Sequence, residues 1–261
     1  MDLGLQGRVA VVTGASKGIG LAVTRALAAE GVRVVAGALR GSPELEALSA
    51  EHDVHPVSVD LTDPDGPGRL VAAALERHGR LDILVNNVGG VRPRVDGFLA
   101  VTDDEWQWTL TINLLAAVRT MRAALPALLD GEGPSIVTVS SVNAFLPDPA
   151  VIDYSAAKGA LTNVCKSLSK EFGGRVRVNT VSPGPVATDL WLGHDGVAAA
   201  FAKAGGTTPD SVAQGAASQS VTGRFTQPEE IADLVVFLAS DRAGNTTGSD
   251  NVIDGGLVTT L

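Results

Sequence analysis

The sequence predicts a three-layer α/β/α protein built on a doubly wound parallel β-sheet. Short, β-branched, nearly continuous apolar runs alternate with helix-length stretches along most of the chain. Strands of a parallel sheet are covered by helices on both faces, so they are apolar throughout rather than in alternation. Strands that alternate with helices are typical of βαβ units. The runs that we expect to be strands lie at residues 9–13, 32–36, 54–59, 83–85, 136–140 and 176–181.

Capping signals mark the start of several helices between these strands. A serine, threonine or aspartate can accept a hydrogen bond from the first helical turn, and proline fits the first helical position. A glutamate three residues after a threonine completes a capping box. The pairs that fit these patterns are Ser42 with Pro43, Asp63 with Pro64, Thr102 with Glu105, and Thr226 with Glu229.

We predict one domain over residues 1–261, because no linker interrupts the alternation before about residue 190. Residues 188–223 break the pattern and are rich in Gly, Ala and Ser. An irregular segment of that length in a compact domain is usually functional or disordered. Two interpretations stay open for it. It is either a loose surface excursion or a lid whose aromatic residues, Trp191 and Phe201, face a ligand together with Leu192.

The composition excludes several classes of protein. With 45% hydrophobic and 19% charged residues, the chain can bury a core and is not disordered. Its 29 acidic and 20 basic residues give a net charge of −9, which disfavours nucleic acid and anionic membranes as partners. One cysteine, Cys165, excludes an internal disulfide, and the histidines form no metal-binding pattern with carboxylates. With neither a signal-peptide pattern nor a stretch of about 18 uninterrupted apolar residues, a cytoplasmic protein is expected.

A glycine-rich turn follows the first predicted strand. Gly14, Gly18 and Gly20 are spaced G-x3-G-x-G just before a helical stretch. Such a turn directs backbone N–H groups and a helix N-terminus toward a pyrophosphate. Tight turns also use glycine, so the spacing alone is weak evidence. Its place after the first strand of an alternating chain favours a nucleotide site.

Tyr154 and Lys158 form a candidate acid–base pair. Four residues apart on a helix, they share one face. A free tyrosine has a pKa of about 10, and a nearby cation favours the phenolate and lowers that pKa. An ordinary surface contact is the alternative for the pair taken alone. Tyr154 is, however, the only tyrosine, and Ser141 precedes it at a strand end, where open α/β sheets build their sites.

Together these motifs resemble the single-domain branch of the short-chain dehydrogenase/reductase family. The motifs that match in order and spacing are Thr13-Gly14-x3-Gly18-x-Gly20, Asn86-Asn87-Val88-Gly89, Ser141 thirteen residues before Tyr154, Tyr154-x3-Lys158, Pro183-Gly184 and Asp254-Gly255-Gly256. Val88 replaces the alanine that is usual in the second motif. The resemblance covers residues 5–256. It implies a Rossmann-type fold and hydride transfer between a nicotinamide cofactor and a carbonyl or secondary alcohol.

The resemblance also implies four catalytic roles. Tyr154 resembles the family's proton donor and acceptor, and Lys158 the residue that lowers the tyrosine pKa and binds the nicotinamide ribose. Ser141 would hydrogen-bond the substrate carbonyl oxygen as charge develops there. Ser140 is its rival, but the spacing to the tyrosine favours Ser141. Asn113 matches the asparagine that holds a proton-relay water, with a cap on a local backbone group as the alternative.

The cofactor would lie along the carboxyl edge of the sheet by the same resemblance. Asp60 resembles the aspartate that contacts adenine, with a turn or helix-capping carboxylate as the alternative, and Asn86 lies near the adenosine ribose. Thr188 matches a phosphate contact. The residues expected to bind the cofactor are Gly14, Ser16, Lys17, Gly18, Ile19, Gly20, Ala38, Arg40, Asp60, Leu61, Asn87, Gly89, Tyr154, Lys158, Pro183, Gly184, Val186 and Thr188.

NADP(H) is the expected cofactor, with NAD(H) as the alternative. A carboxylate at the end of the second strand normally bonds the ribose 2′-OH of NAD and repels a 2′-phosphate. Ala38 stands in that place here. Lys17 and Arg40 are the cations that could reach the added phosphate. In the other reading, Arg40 points to solvent and Lys17 only belongs to the turn.

An apolar ketone or secondary alcohol is the expected substrate. Apolar residues occupy the places where the family has its pocket wall, namely Phe145, Leu146, Pro147, Val151 and Ile152, with Trp191 and Leu192 from the lid. A reductase of 3-oxoacyl-carrier-protein type, with Arg92 and Arg94 as contacts at the mouth, is one alternative. A non-catalytic nucleotide-binding regulatory protein is another. Small residues on the helix after Tyr154 predict a homotetramer or homodimer.

Overall fold

The computed structural model describes residues 2–131 and 133–260. Within these residues, seven parallel strands form one sheet in the order β3-β2-β1-β4-β5-β6-β7. The strands are β1 (Val9–Thr13), β2 (Arg33–Ala38), β3 (Val54–Ser58), β4 (Ile83–Asn86), β5 (Ser135–Val139), β6 (Arg177–Pro183) and β7 (Asp250–Ile253). The strand order reverses between β1 and β4, and ligands of open α/β sheets bind at such a switch point. The predicted doubly wound fold is confirmed.

Helices cover both faces of the sheet. Those within the described ranges are α1 (Gly18–Ala29), α2 (Pro43–Glu51), α3 (Gly66–His78), α4 (Asp103–Leu110), α5 (Ala116–Leu129), α6 (Ile152–Glu171), α7 (Asp189–Leu192), α8 (Val197–Gly205), α9 (Pro209–Ala217) and α10 (Pro228–Ala239). A single turn of π-helix, Thr111–Leu115, joins α4 to α5.

The two faces of β1 belong to two separate apolar cores. Ala10 and Val12 pack in a cluster with buried residues of α1, α2 and α10. Val9 and Val11 pack in a second cluster with buried residues of α3, α5 and α6. Burial on both faces is the reason why the strand is apolar at every position, as the sequence pattern indicated.

The predicted strand boundaries agree with the structure to within about two residues, but one strand was missed. The edge strand β7 pairs with β6 alone, and its Asp250 and Val252 are exposed. A strand that is covered on one side only lacks the continuous apolar run by which the other six were recognised.

Two of the four predicted helix starts are confirmed. Ser42 accepts a hydrogen bond from the Leu45 amide at the start of α2, and Thr102 forms a capping box with Glu105. The start at Asp63 is wrong, since α3 begins at Gly66 and the Asp63 carboxylate instead accepts from the Asp65 amide in a preceding turn.

The fourth start, at Thr226, lies one residue too early. The helix α10 begins at Pro228, and Glu230 accepts the hydrogen bond from the backbone amide of Gln227. Thr226 instead belongs to a parallel bridge with Val186. The backbone of Thr226 therefore belongs to the end of the preceding segment, and Thr226 does not cap the helix.

Residues 188–223 are helical rather than irregular, so that expectation is wrong. The segment contains α7, α8 and α9. Its base is closed by the bridge between Val186 and Thr226, where the Ala187 amide donates to the Thr226 carbonyl at 2.9 Å. We refer to residues 188–223 as the helical cap. Its high content of Gly, Ala and Ser concealed three short helices.

One helical run, Asp103–Leu129, is long and apolar enough to cross a membrane by length and composition alone. Its Met121, Ala124 and Leu128 are buried in the core cluster with α3 and α6. These contacts place the run in one helical layer of the α/β fold, and a core helix passes the same length and composition test.

Candidate active site

A cleft of about 1480 Å³ runs along the carboxyl ends of the strands. Sites for one small ligand measure about 300–1,000 Å³, so this cleft has room for a second molecule. The predicted site residues that line it are Gly14, Ser16, Lys17, Gly18, Ile19, Ala38, Arg40, Asn87, Gly89, Ser141, Tyr154, Lys158, Pro183, Gly184, Val186 and Thr188. The loops after β1, β2, β4, β5 and β6 bring these residues together.

The glycine turn leaves no room for side chains at its closest contacts. Gly14 and Gly18 have φ angles of +67° and +53°, which L-residues with a side chain rarely adopt. A Cβ at Gly20 would lie 2.1 Å from the carbonyl oxygen of Gly14. Thr188 packs against the turn from the cap side, since a Cβ at Gly18 would lie 3.2 Å from its methyl group. Glycine at these positions is therefore required by the packing of the turn itself, and Gly14 and Gly18 line the cleft without side chains.

Thr13 and Asn87 fasten the loop after β4 to the glycine turn. The hydroxyl of Thr13 accepts hydrogen bonds from the backbone amides of Asn87 and Val88, at 2.8 and 3.0 Å. The side-chain amide of Asn87 donates to the carbonyls of Thr13 and Gly14. The two loops at the switch point are thus held as one unit, and the asparagine motif has a structural role beside any contact to a cofactor.

Lys158 lies in the interior with its ammonium at the cleft. Its exposure is 3%, and Nζ donates to the carbonyl oxygen of Val139 at 2.8 Å. Burial lowers the pKa of Lys158 from 10.5 to about 8. An ammonium has three donors, and among the described residues one acceptor, the Val139 carbonyl, faces them. Two donors are left for a bound molecule.

The phenol of Tyr154 lies in the wall of the cleft, where the residue is partly exposed, and is protonated at neutral pH. Burial raises its pKa from 10.0 to about 12, which a hydrogen bond with Ser141 counters in part. The Lys158 ammonium lies 5.6 Å from the centre of the tyrosine ring. Burial therefore dominates the pKa of Tyr154 in this structure, and the expected lowering of that pKa by Lys158 stays a prediction.

Ser141 rather than Ser140 contacts the tyrosine. The Ser140 hydroxyl forms a 2.7 Å hydrogen bond with the hydroxyl of Thr162, whereas Ser141 lies beside the Tyr154 phenol and lowers its pKa. Ser141 Oγ also lies 3.1 Å from Oδ1 of Asn143 and accepts from the Asn143 amide. Asn143 lines the cleft and was missed by the sequence analysis. Its place two residues after the serine was the available signal.

Asn113 is buried in the π-helical turn and does not line the cleft. Its side-chain NH₂ donates to the carbonyls of Gly90 and Thr109, at 2.8 and 3.0 Å, and its Oδ1 accepts from the Gly90 amide. One of these partners is local, as the alternative reading expected, but Gly90 belongs to the loop after β4. The asparagine therefore joins that loop to the helix.

Three expected cofactor residues lie outside the cleft lining, namely Gly20, Asp60 and Leu61. Gly20 packs beneath the turn against Gly14. The exposed Asp60 carboxylate accepts hydrogen bonds from the amide and hydroxyl of Thr62, which lower its pKa. This is the turn carboxylate that the alternative reading expected.

Several residues assigned to the substrate region also lie elsewhere. Phe145, Ile152 and Leu192 do not line the cleft. Arg94 is not a surface contact at the mouth, because its side chain is 5% exposed and pairs with Asp153 and Glu105. Arg92 is exposed and stacks over Trp108, with its guanidinium carbon 3.7 Å from the ring centre.

Comparison with known proteins decides the family. The family model described as Enoyl-(Acyl carrier protein) reductase matches residues 14–258. The chain belongs to the short-chain dehydrogenase/reductase family. The predicted resemblance is therefore confirmed over almost the entire chain.

Relatives of this short-chain dehydrogenase/reductase match it from end to end. The 3-oxoacyl-acyl-carrier-protein reductase of Thermotoga maritima is 33% identical over 260 residues, or 97% of this chain and 99% of the relative. D-threitol dehydrogenase of Mycolicibacterium smegmatis is 37% identical over 260 residues, or 98% of this chain and 94% of the relative. L-sorbose reductase from Gluconobacter frateurii, solved in complex with NADPH and L-sorbose, has 33% sequence identity and a TM-score of 0.91 over 100% of both chains. The protein is an oxidoreductase of this family.

Proposed function

We propose that this short-chain dehydrogenase/reductase transfers a hydride between NADP(H) and an apolar ketone or secondary alcohol. The observation that carries the proposal is the meeting of Ser141, Tyr154 and Lys158 in the wall of one cleft. Ser141 lies beside the phenol, whose pKa it lowers, and the buried ammonium keeps two donors for a ligand. The glycine turn lines the same cleft.

The residues of the cleft fit a nicotinamide dinucleotide. The bare backbone of the glycine turn suits a pyrophosphate, and the two remaining donors of Lys158 suit the adjacent hydroxyls of a ribose. The residues that would hold the phosphates and the adenosine side are Gly14, Ser16, Lys17, Gly18, Ile19, Ala38, Arg40 and Thr188, and those that would hold the nicotinamide side are Asn87, Gly89, Tyr154, Lys158, Pro183, Gly184 and Val186. Gly20, Asp60 and Leu61 are left out because they lie outside the lining.

The chain's own residues orient the substrate and supply the proton. When bound, the reduced cofactor supplies the hydride and the oxidised cofactor accepts one. In the reduction, the Ser141 hydroxyl donates a hydrogen bond to the carbonyl oxygen, where negative charge develops. Tyr154 gives its phenolic proton to that oxygen, and the Lys158 ammonium stabilises the phenolate that remains. A pKa of about 12 keeps Tyr154 protonated at neutral pH, so this state is ready for reduction.

An apolar substrate is favoured by the walls around the reacting groups. The apolar residues that line this part of the cleft include Leu146, Pro147, Val151, Trp191, Val197, Phe201 and Val212. Trp191 makes an edge-to-face contact with the buried Phe225, with ring centres 5.3 Å apart. Since four of these residues, Trp191, Val197, Phe201 and Val212, belong to the helical cap, we propose that it closes over the substrate as a lid.

A reductase of 3-oxoacyl-carrier-protein type is the second candidate. The likeness to the Thermotoga maritima reductase favours it. Of its two proposed contacts, however, Arg94 is buried in an ion pair and cannot reach a ligand. Arg92 is exposed and is the contact that remains. Acyl-carrier thioesters therefore belong in the substrate panel.

We also propose that the protein is cytoplasmic and assembles as a homotetramer or homodimer, without nucleic acid or membrane partners. Ala156 is exposed and Gly159 partly exposed on α6, which supports a close approach of helices from two copies. Sedimentation at micromolar concentration should show an oligomer, and a monomer would contradict the proposal.

Consumption of NADPH with a panel of substrates tests the proposed function. The panel contains aryl and alkyl ketones, sugars with a free carbonyl, and a 3-oxoacyl thioester with and without its carrier protein. Fastest turnover with the apolar ketones supports the proposal, and fastest turnover with the carrier-bound thioester supports the second candidate. No turnover with any carbonyl compound, despite measurable NADPH binding, would overturn both.

A further inference from the structure

A buried ion pair lies next to Tyr154 in the first turn of α6. Asp153 precedes the tyrosine, and its side chain is 1% exposed, while that of Arg94 is 5% exposed. Nη2 and Nε of Arg94 both reach Oδ2 of Asp153, at 2.5 and 3.1 Å. Two charges removed from water in this way lose hydration that their attraction recovers only with good geometry and further hydrogen bonds.

Neighbouring groups form further hydrogen bonds with Asp153 and Arg94. The Thr109 hydroxyl donates to Oδ2 of Asp153 at 2.6 Å, and the backbone amide of Tyr154 donates to Oδ1 at 3.0 Å. Nη1 of Arg94 donates to Glu105 at 2.6 Å. Burial alone would raise the pKa of Asp153. The hydrogen bonds from Arg94 and Thr109 and the charge of Arg94 outweigh this and lower the pKa, so the carboxylate is charged at neutral pH.

These contacts join the parts of the chain that carry the catalytic candidates. Thr109 also accepts, through its backbone carbonyl, the hydrogen bond from Asn113. Asn113 in turn holds Gly90 of the loop after β4, and the Arg94 amide donates to the Ala150 carbonyl just before α6. The side chain of Asp153 is therefore the point where α4, α6 and this loop meet.

We propose that Asp153, held by Arg94 and Thr109, is a positioning residue that fixes the Tyr154 phenol relative to Ser141 and Lys158. The inference rests on the proposed role of Tyr154 as the acid. A buried ion pair is weak evidence for stability, because apolar residues of the same volume often serve as well or better. Orientation of a catalytic group, by contrast, is sensitive to displacements of about 1 Å, which can lower the rate by about 100-fold.

Thr109 gives the sharpest test because its hydroxyl can be removed with almost no change in volume. In Thr109→Val the hydrogen bond to Asp153 is lost, and in Thr109→Ser it is kept. We expect kcat to fall by about 10- to 100-fold in Thr109→Val and in Asp153→Asn, with KM and the NADPH dissociation constant within about twofold of wild type. Thr109→Ser should retain wild-type kcat. Arg69→Gln, which breaks the exposed pair with Asp63, is the matched control.

The single tyrosine allows a second measurement that needs no turnover. Protein labelled with fluorotyrosine gives one fluorine NMR signal, and that signal comes from Tyr154. We expect the signal to shift in Thr109→Val and Asp153→Asn, and to stay in place in Thr109→Ser and Arg69→Gln. The label reports the phenol's surroundings in the free protein.

Two results would overturn the inference. One is a folded Thr109→Val protein with wild-type kcat and an unshifted fluorine signal. The other is a parallel decline of kcat, NADPH binding and unfolding temperature, which indicates a general structural role. If the wild type reduces no ketone at all, the proposed function fails, and the fluorine measurement still decides whether the cluster orients Tyr154.

Discussion

The hydroxyl proton of Ser141 points to Oδ1 of Asn143, 3.1 Å away. The orientation of the asparagine amide is fixed, because its NH₂ donates to the carbonyl of Leu146, which can only accept. The backbone amide of Asn143 donates back to Ser141 Oγ at 3.2 Å. In this state the Ser141 proton that would hydrogen-bond a substrate carbonyl is therefore already donated to Asn143. A substrate must displace the asparagine to receive it.

Replacement of Asn143 should change the affinity for ketones in a direction set by the new acceptor. Asn143→Ala frees the Ser141 proton, so KM for an apolar ketone should fall by about 2- to 10-fold, as expected for a hydrogen bond worth about 0.5–1.5 kcal/mol. Asn143→Asp offers a charged, stronger acceptor and should raise KM. Steady-state kinetics on both variants tests the prediction. A rise in KM in both would instead mean that the asparagine itself binds substrate.

Tyr154→Phe should lose turnover and keep cofactor binding. The ring stays in the cleft wall, and the change removes only the hydroxyl that lies beside Ser141 and carries the proton. General acid–base catalysis is typically worth about 10²–10⁴ in rate. NADPH titration by fluorescence and kcat with the best ketone give the two readouts. A near-wild-type kcat would place the acid on another group.

Lys158→Met should stabilise the fold at neutral pH while it abolishes activity. The folded-state pKa of about 8 lies below the ordinary value of 10.5, so the unfolded chain binds more protons between these values. Stability owed to this group therefore rises with pH from about 8 to about 10.5 and is at its lowest below pH 8. At about 1.4 kcal/mol per pH unit, the buried charge of Lys158 destabilises the folded state by about 3 kcal/mol at pH 7. The gain in Lys158→Met is smaller than this, because the variant also loses the hydrogen bond to Val139.

Denaturant unfolding of Lys158→Met and wild type at pH 7 and pH 10 measures this difference. We expect the variant to be more stable at pH 7 and the gap to shrink at pH 10. Lys166→Met is a suitable control, since Lys166 also donates to a backbone carbonyl, that of Gly248, but is exposed. An unchanged gap at the two pH values would mean that Lys158 is not titrating in this range.

Local patterns predicted the fold because each of the central strands is buried on both faces. Val9 to Val12 alternate between two cores, and the sequence shows this as an uninterrupted apolar run. The edge strand β7 has no such pattern, since Asp250 and Val252 face solvent. The helical cap was hidden for another reason, because its helices span only four, nine and nine residues and are rich in small residues.

Most of the site residues predicted from the family motifs line the cleft, but the motifs did not reveal the charges behind it. Tyr154 and Lys158 could be assigned from the family motifs taken together, while the pKa of the tyrosine depends on burial, which no motif reveals. Arg94 and Asp153 lie 59 residues apart in the chain. Only the packing of the loop after β4 against the start of α6 shows that they form a pair.

Exchange of charge at the end of β2 should change the cofactor preference. Ala38 is buried at the rim of the cleft, and Lys17 and Arg40 are exposed beside it. The Ser42 hydroxyl donates to the Ser16 carbonyl at 2.7 Å, so the loop that carries Arg40 is tied to the glycine turn that carries Lys17. Hydrogen bonds to charged groups contribute about 1.5–3 kcal/mol, or about tenfold or more in affinity. We therefore expect wild-type kcat/KM to favour NADPH over NADH.

Two variants separate the contribution of the Arg40 cation from that of the missing carboxylate at Ala38. Arg40→Ala removes a cation and should lower kcat/KM for NADPH about tenfold with little effect on NADH. Ala38→Asp adds a carboxylate that would bond the 2′-OH of NADH and repel the 2′-phosphate, so it should reverse the ratio. Arg25→Ala, on the exposed face of α1, is a control for the loss of one positive charge. Because Glu44 also lines this rim, its carboxylate opposes the two cations. A wild-type preference for NADH, or a ratio that Ala38→Asp leaves unchanged, would show that the acid outweighs them.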